Sequence, residues 1–329
     1  MAMSDNALIQ YEAGQTFHNT ELMTTADGKK FAASFKPFSV YEGKEVMVMP
    51  SGVVNGGDLS ATANVNEVAY AAMKVRLAAS SLADDQGEFD VSAGTLTLAR
   101  PTTGTHLIYS VVVHADGQVE ALAGTEGGSF DEGRGAAGSA PFIPVDAVEV
   151  GQVRLSSQTD AAVLPSEIFQ IAGTHKEMAD YPIYSVEEIT GSISFADVLP
   201  AIHVGDTYKQ VAVKGYTPLF ADVPKGYDFT PAEISHSVNS QQVYGSTVGS
   251  TSKSIGQAGF SAILKDGLTD DILSAVDHKV WIKFKQNRNR LPYSLTLGVL
   301  GMARSYPADN NVTATFTVSA ESSTVSFAQ

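Results

Sequence analysis

Residues able to do chemistry are present in this chain, but their spacing does not assemble them. Gly133-Arg134-Gly135-Ala136-Ala137-Gly138 spells the G-x-G-x-x-G of a dinucleotide loop. That motif works only between a strand and a helix N-terminus that receives the pyrophosphate. Pro141 and Pro144 follow almost at once, so the stretch reads as a surface loop. The seven histidines (His18, His106, His114, His175, His203, His236, His278) are mutually remote in sequence. His106 and His114 could share a strand face, yet at the usual rise they would stand roughly 26 Å apart, too far to hold one metal ion. No G-x-S-x-G elbow or helical S-x-x-K is present. The acidic clusters Asp84-Asp85 and Asp131-Glu132 lack EF-hand spacing and read as solvated loops. A paired-carboxylate hydrolase needs two acids about 5 to 9.5 Å apart, a distance that sequence does not fix. Asn311-Val312-Thr313 is a glycosylation sequon, meaningful only with secretion. With no cysteine, thiolate nucleophiles, thiolate metal sites and disulfides are excluded. No catalytic residue, cofactor site or metal site is assigned.

What the chain offers instead is strand pattern. In Asn311–Ser319, Val312, Ala314, Phe316 and Val318 fall on one face and Thr313, Thr315 and Thr317 on the other. Val280–Lys285 and Tyr293–Leu297 alternate in the same way, with turn residues between them, which predicts a three-stranded antiparallel unit. Further strands are expected at Glu45–Met49, across Asp116-Gly117 as a hairpin (108–114 with 118–122), within 142–155, and at 184–189, 192–195 and 209–213. Residues 67–80 fit a helix or alternation, with a lean to strand. Residues 1–30 read as an arm or edge element, and Asp180-Tyr181-Pro182 as a fixed turn. Ala232–Tyr244 alternates, runs through the small-residue stretch Gly245–Gly256, and resumes at Phe260, predicting a long hairpin over 233–264. Thr269 as cap, Asp270 and Asp271 in a first turn, and the stripe Ile272, Leu273, Ala275, Val276 predict one helix over 269–279.

A length of 329 residues suits two domains, divided here as 1–172 and 173–329, both β-rich. Residues 1–172 carry 21 Asp and Glu against 9 Lys and Arg, a balance of −12, and residues 173–329 carry 15 against 12, a balance of −3. Such acidity opposes phosphate gripping but suits a surface past which nucleic acid must slide. The N-terminus lacks a basic and apolar leader and no run reaches a membrane span, so synthesis in a cytoplasm is expected, with no membrane association.

The second half, with its long small-residue hairpin, one short helix and terminal T-A-T-F-T-V-S-A-E strand, resembles the major tail tube proteins of long-tailed bacteriophages, which share their fold with the type VI secretion tube protein. The first half, through Leu107–Ser110, Ala115–Gly117, Gly124–Gly127 and Pro144–Val153, is similar to domains of phage tail and baseplate proteins. It departs from a minimal tube protein, which would be about half this length, so tube subunit and baseplate component both stay open. The resemblance implies a mainly β, tube-like sandwich or barrel plus a second all-β domain. It also implies a structural, non-enzymatic virion protein whose six subunits close into stacked rings, in contact with other tail proteins, through which genome DNA passes unbound. A host-recognition module binding glycans is the alternative. Val243, Tyr244, Val248, Ile255, Phe260 and Trp281 are the expected subunit-interface residues, although Trp281, like Tyr293 and Phe316, reads equally as core packing.

Overall fold

The computed structural model describes residues 6–180, 183–244 and 246–328. The expected turn at Tyr181 and Pro182 lies outside them. The fold is mainly β, with short 3-10 turns and several antiparallel sheets. The chain forms two compact units, one from residues 1–18, 37–46 and 215–329, the other from 19–36 and 47–214.

In the first unit the C-terminal strands lie as their alternation requires. Lys279–Lys285, Tyr293–Ser305 and Thr313–Ala320 are neighbours, with Val280 opposite Gly298 and Gly298 opposite Ala320. Ala314, Phe316 and Val318 are buried while Thr315 faces out. Ala258–Ile263 pairs with Thr313–Ala320 on one side and Gly226–Thr230 on the other. Leu8–Leu22 pairs with Lys279–Lys285, placing Tyr11 opposite Ile282. The N-terminal segment is therefore an interior strand rather than an arm, since Val211–Asp222 neighbours it on its far side. Its pattern was obscured by Glu12, which is buried next to Tyr11.

The segment 269–279 is not a three-turn helix. A 3-10 turn covers Asp271–Ala275, and Val276 is already extended. The would-be caps are used upstream: the Asp270 carboxylate accepts the N–H groups of Lys265 and Gly267, and Thr269 donates to Asp266. Asp277 then takes a positive φ of 66°, which closes off any further helix.

The expected division at 172/173 is also corrected. Residues 1–18 and 37–46 join the C-terminal part because their strand pairs there. Residues 173–214 stay with what precedes them: Lys176 Nζ donates to the Gly56 carbonyl and Ile143 bridges His203.

In this second unit Leu107–His114 is central, between Val119–Ala123 and Ala147–Leu155, with Ile168–Phe169 beyond. The Asp116-Gly117 hairpin forms as expected, but residues 142–146 supply no second strand. Residues 67–80 give strands Glu67–Tyr70 and Met73–Arg76, which join the three-stranded sheets of Leu59–Ala61 with Gly94–Thr97 and of Gly52–Gly56 with Glu88–Val91. Leu107, Tyr109, Val111, Val113, Val148, Val150, Val153 and Leu155 build the core on one face.

Candidate functional site

The predicted interface residues separate into two kinds. Ile234–Val243 and Ser246–Ile255 pair through ten positions, from Ile234 opposite Ile255 to Val243 opposite Ser246. The hairpin thus ends at Ile255, and Ala258–Ile263, included in it by the alternating pattern, belongs instead to the large sheet. At the usual rise its arms extend roughly 33 Å. They form a sheet of their own. Val238 is 68 % exposed, Ile255 40 %, and Tyr244 fully exposed. The side chains of Val243 and Val248 lie outside the described residues. Cross-strand hydroxyl pairs, Ser235 with Ser254 and Ser237 with Ser252, run along one face. Lys253 is its one formally charged residue.

Phe260 and Trp281 belong elsewhere. Phe260 is buried and stacks on Phe316 with centroids 4.8 Å apart. Trp281 is buried, and its indole N–H donates to the Phe38 carbonyl at 2.8 Å. Both side chains are consumed by their own unit, so neither is available to another subunit. Tyr244→Ala is therefore expected to leave the stability of the isolated chain within about 0.5 kcal/mol of the parent, measured by urea unfolding at low protein concentration.

A second cluster went unforeseen. Strand Ala147–Leu155 is buried along its whole length although it carries Glu149, Gln152 and Arg154. Alternation alone would put Glu149 with Gly151, Val153 and Leu155 on one face, and Gln152 and Arg154 on the other. A bulge where the ladder shifts between Val111 and Val112 inserts one residue and reverses the parity. Glu149, Gln152 and Arg154 then share the face opposite the apolar core. Gln152 donates to Glu149 at 3.2 Å and Arg154 to Gln152 at 3.2 Å.

The glycine-rich loop covers this face. Arg134 reaches in to pair with Glu149 and donates to the Pro141 carbonyl at 2.7 Å, while Ser110 donates to Glu149 at 2.6 Å. The glycines that imitate a nucleotide motif serve the loop's own path. Gly138 has φ of 82°, and a Cβ there would stand 1.9 Å from the Ser129 carbonyl oxygen. Glu132 is solvated as expected, its side chain 75 % exposed, and it also forks onto Arg154 at 2.6 and 2.9 Å, a hydrogen bonding that holds its carboxyl below the usual range. Burial pushes the Glu149 carboxyl up even though Arg134, Ser110 and Gln152 favour its charged form.

Beyond Glu149 the network continues. Glu177 accepts the Glu149 backbone N–H at 2.8 Å, and its other carboxyl oxygen stands 3.7 Å from His203 Nε2. His203 Nδ1 contacts the Pro144 carbonyl at 2.9 Å. Burial acts to lower the His203 pKa, but the combined pull of Glu177 and Pro144 leaves it raised. Burial brings the Lys209 ammonium down to about 8. His106 and His114 do not converge: His106 packs on the Phe130 ring, and His114 meets Glu120 at 3.0 Å. Among the described residues no group of three His, Asp or Glu side chains could hold a metal ion, and no helix is long and apolar enough to cross a membrane. No family model, curated protein or solved structure matches the chain.

Proposed function

We propose that this chain is a structural protein of a bacteriophage tail, assembling with copies of itself into stacked rings that enclose a DNA passage, six subunits to a ring as in the tube proteins it resembles. The observation that carries this reading is the hairpin Ile234–Ile255. It is a two-stranded sheet with exposed faces, and its outward backbone groups pair with no other described strand. An isolated two-stranded ribbon is marginal in water, and a long open edge invites pairing with another chain. The acid balance supports the same reading, since a wall of net negative charge lets a polyanion pass without gripping it. The fully exposed Tyr244 near the hairpin tip suits burial in another subunit, because aromatic anchors dominate interface energies.

The test is the mass of the purified protein in solution together with negative-stain images. Rings or tubes are expected for the parent chain at high concentration. Replacing residues 239–250 with Asn-Gly keeps Val238 opposite Thr251 and closes the shorter ladder with a two-residue turn. That variant should remain folded and monomeric. A parent that stays monomeric at every concentration overturns the reading, and rings in the shortened variant overturn the role of the hairpin.

A further inference from the structure

The second unit contains a cavity of about 150 Å³ that the assembly reading does not use. Its floor is buried and includes Lys176, Glu177, Leu199, Ile202 and Lys209, while Thr174, Asp197, Val198 and Pro200 stand exposed at its mouth. Glu177 is 8 % exposed, and its Oε1 faces His203 Nε2 at 3.7 Å, beyond hydrogen-bond distance, with no nearer partner. A carboxylate oxygen has two lone pairs, so beside His203 it still has room for a donor from water or a ligand in the cavity.

The lining selects among ligand classes. An anion would meet the negative charge of Glu177 and Asp197. A cation would meet the ammonium groups of Lys176 and Lys209, and no three-residue metal cluster is found among the described residues. A neutral hydroxyl group suits both signs, because it donates to a carboxylate and accepts from an ammonium. Leu199, Ile202 and Val198 offer aliphatic surface for the C–H face of a ring. A volume near 150 Å³ accommodates a six-membered ring.

We propose that this cavity binds a small neutral polyol of monosaccharide size, with hydroxyls donating to Glu177 and Asp197 and the ring lying against Leu199 and Ile202. The site is independent of assembly, and it remains in the shortened-hairpin variant, on which it can be tested as a monomer. Saturation-transfer NMR on the full-length chain would compare three probe classes at millimolar concentration: methyl hexopyranosides, acetate and 1,4-diaminobutane. Transfer to pyranoside ring protons alone is expected. Asp197→Ala, a change at an exposed position, should weaken pyranoside binding about tenfold, the loss of one charge-assisted hydrogen bond. Glu177→Gln should weaken it similarly, with an unchanged amide spectrum elsewhere. Transfer only to acetate or to the diamine overturns the proposal, as does no transfer to any pyranoside. A pyranoside signal undiminished in both variants overturns the assignment to this cavity.

Discussion

Arg134→Ala is expected to destabilise the protein by about 3–5 kcal/mol, read as a lower urea midpoint at pH 7.5. Glu149 is 1 % exposed, and its charge is tolerated because Arg134, Ser110 and Gln152 surround it. Removing the guanidinium leaves a carboxylate in a low-dielectric interior with two neutral donors. The loop also loses the hydrogen bond from Arg134 to Pro141. The second substitution separates these losses. In Arg134→Ala combined with Glu149→Gln there is no charge left to strand, so the pair should recover most of the loss and retain about 1–2 kcal/mol for the loop bond and the vacated volume. Equal destabilisation in the single and double variants would mean that Arg134 acts by packing alone.

The same cluster marks where sequence reading reaches its limit. Thr313, Thr315 and Thr317 set against Ala314, Phe316 and Val318 made the terminal strand legible, because one face is buried and the period is two. Glu149, Gln152 and Arg154 were not legible as a set. Their common face depends on a bulge, and a bulge is decided by the partner strand rather than by the residues that bulge. The nearest signal was three polar side chains within the otherwise apolar run Ala147–Leu155. Asp270 and Asp271 misled for a related reason. They have the composition of a helix start, but Asp270 satisfies the loop before it instead of the turn after it. Trp281 reads as core or as inter-subunit packing, and Phe260 lies in the same position, because pattern alone does not distinguish an interface from the core in which both are buried. The hairpin was legible in kind, since small polar residues with sparse apolar ones bury little against their own unit. Its far end was misplaced because Ala258–Ile263 continues the alternation into a different sheet.

Glu12→Gln is expected to stabilise the protein by about 1–2 kcal/mol above pH 7 and by almost nothing at pH 4. Glu12 is fully buried, and its carboxyl accepts from the Trp281 backbone N–H at 3.1 Å and from the Ser39 hydroxyl. Burial outweighs both donors and raises its pKa from 4.5 to about 6. The folded state therefore holds a proton that the unfolded chain has released between those two values. Below pH 4.5 both states are protonated and the wild type has its full stability. As pH rises to about 6, ionisation in the unfolded chain removes about 2 kcal/mol, after which the loss is constant. Glutamine keeps an acceptor for the Trp281 N–H and has no ionisation, so it escapes the loss, less whatever the Ser39 hydroxyl gives up when its acceptor becomes an amide. Unfolding midpoints of the two proteins should therefore converge at pH 4 and separate through pH 6. A difference that does not vary with pH would place the titration elsewhere and leave Glu12 as an ordinary hydrogen-bond acceptor.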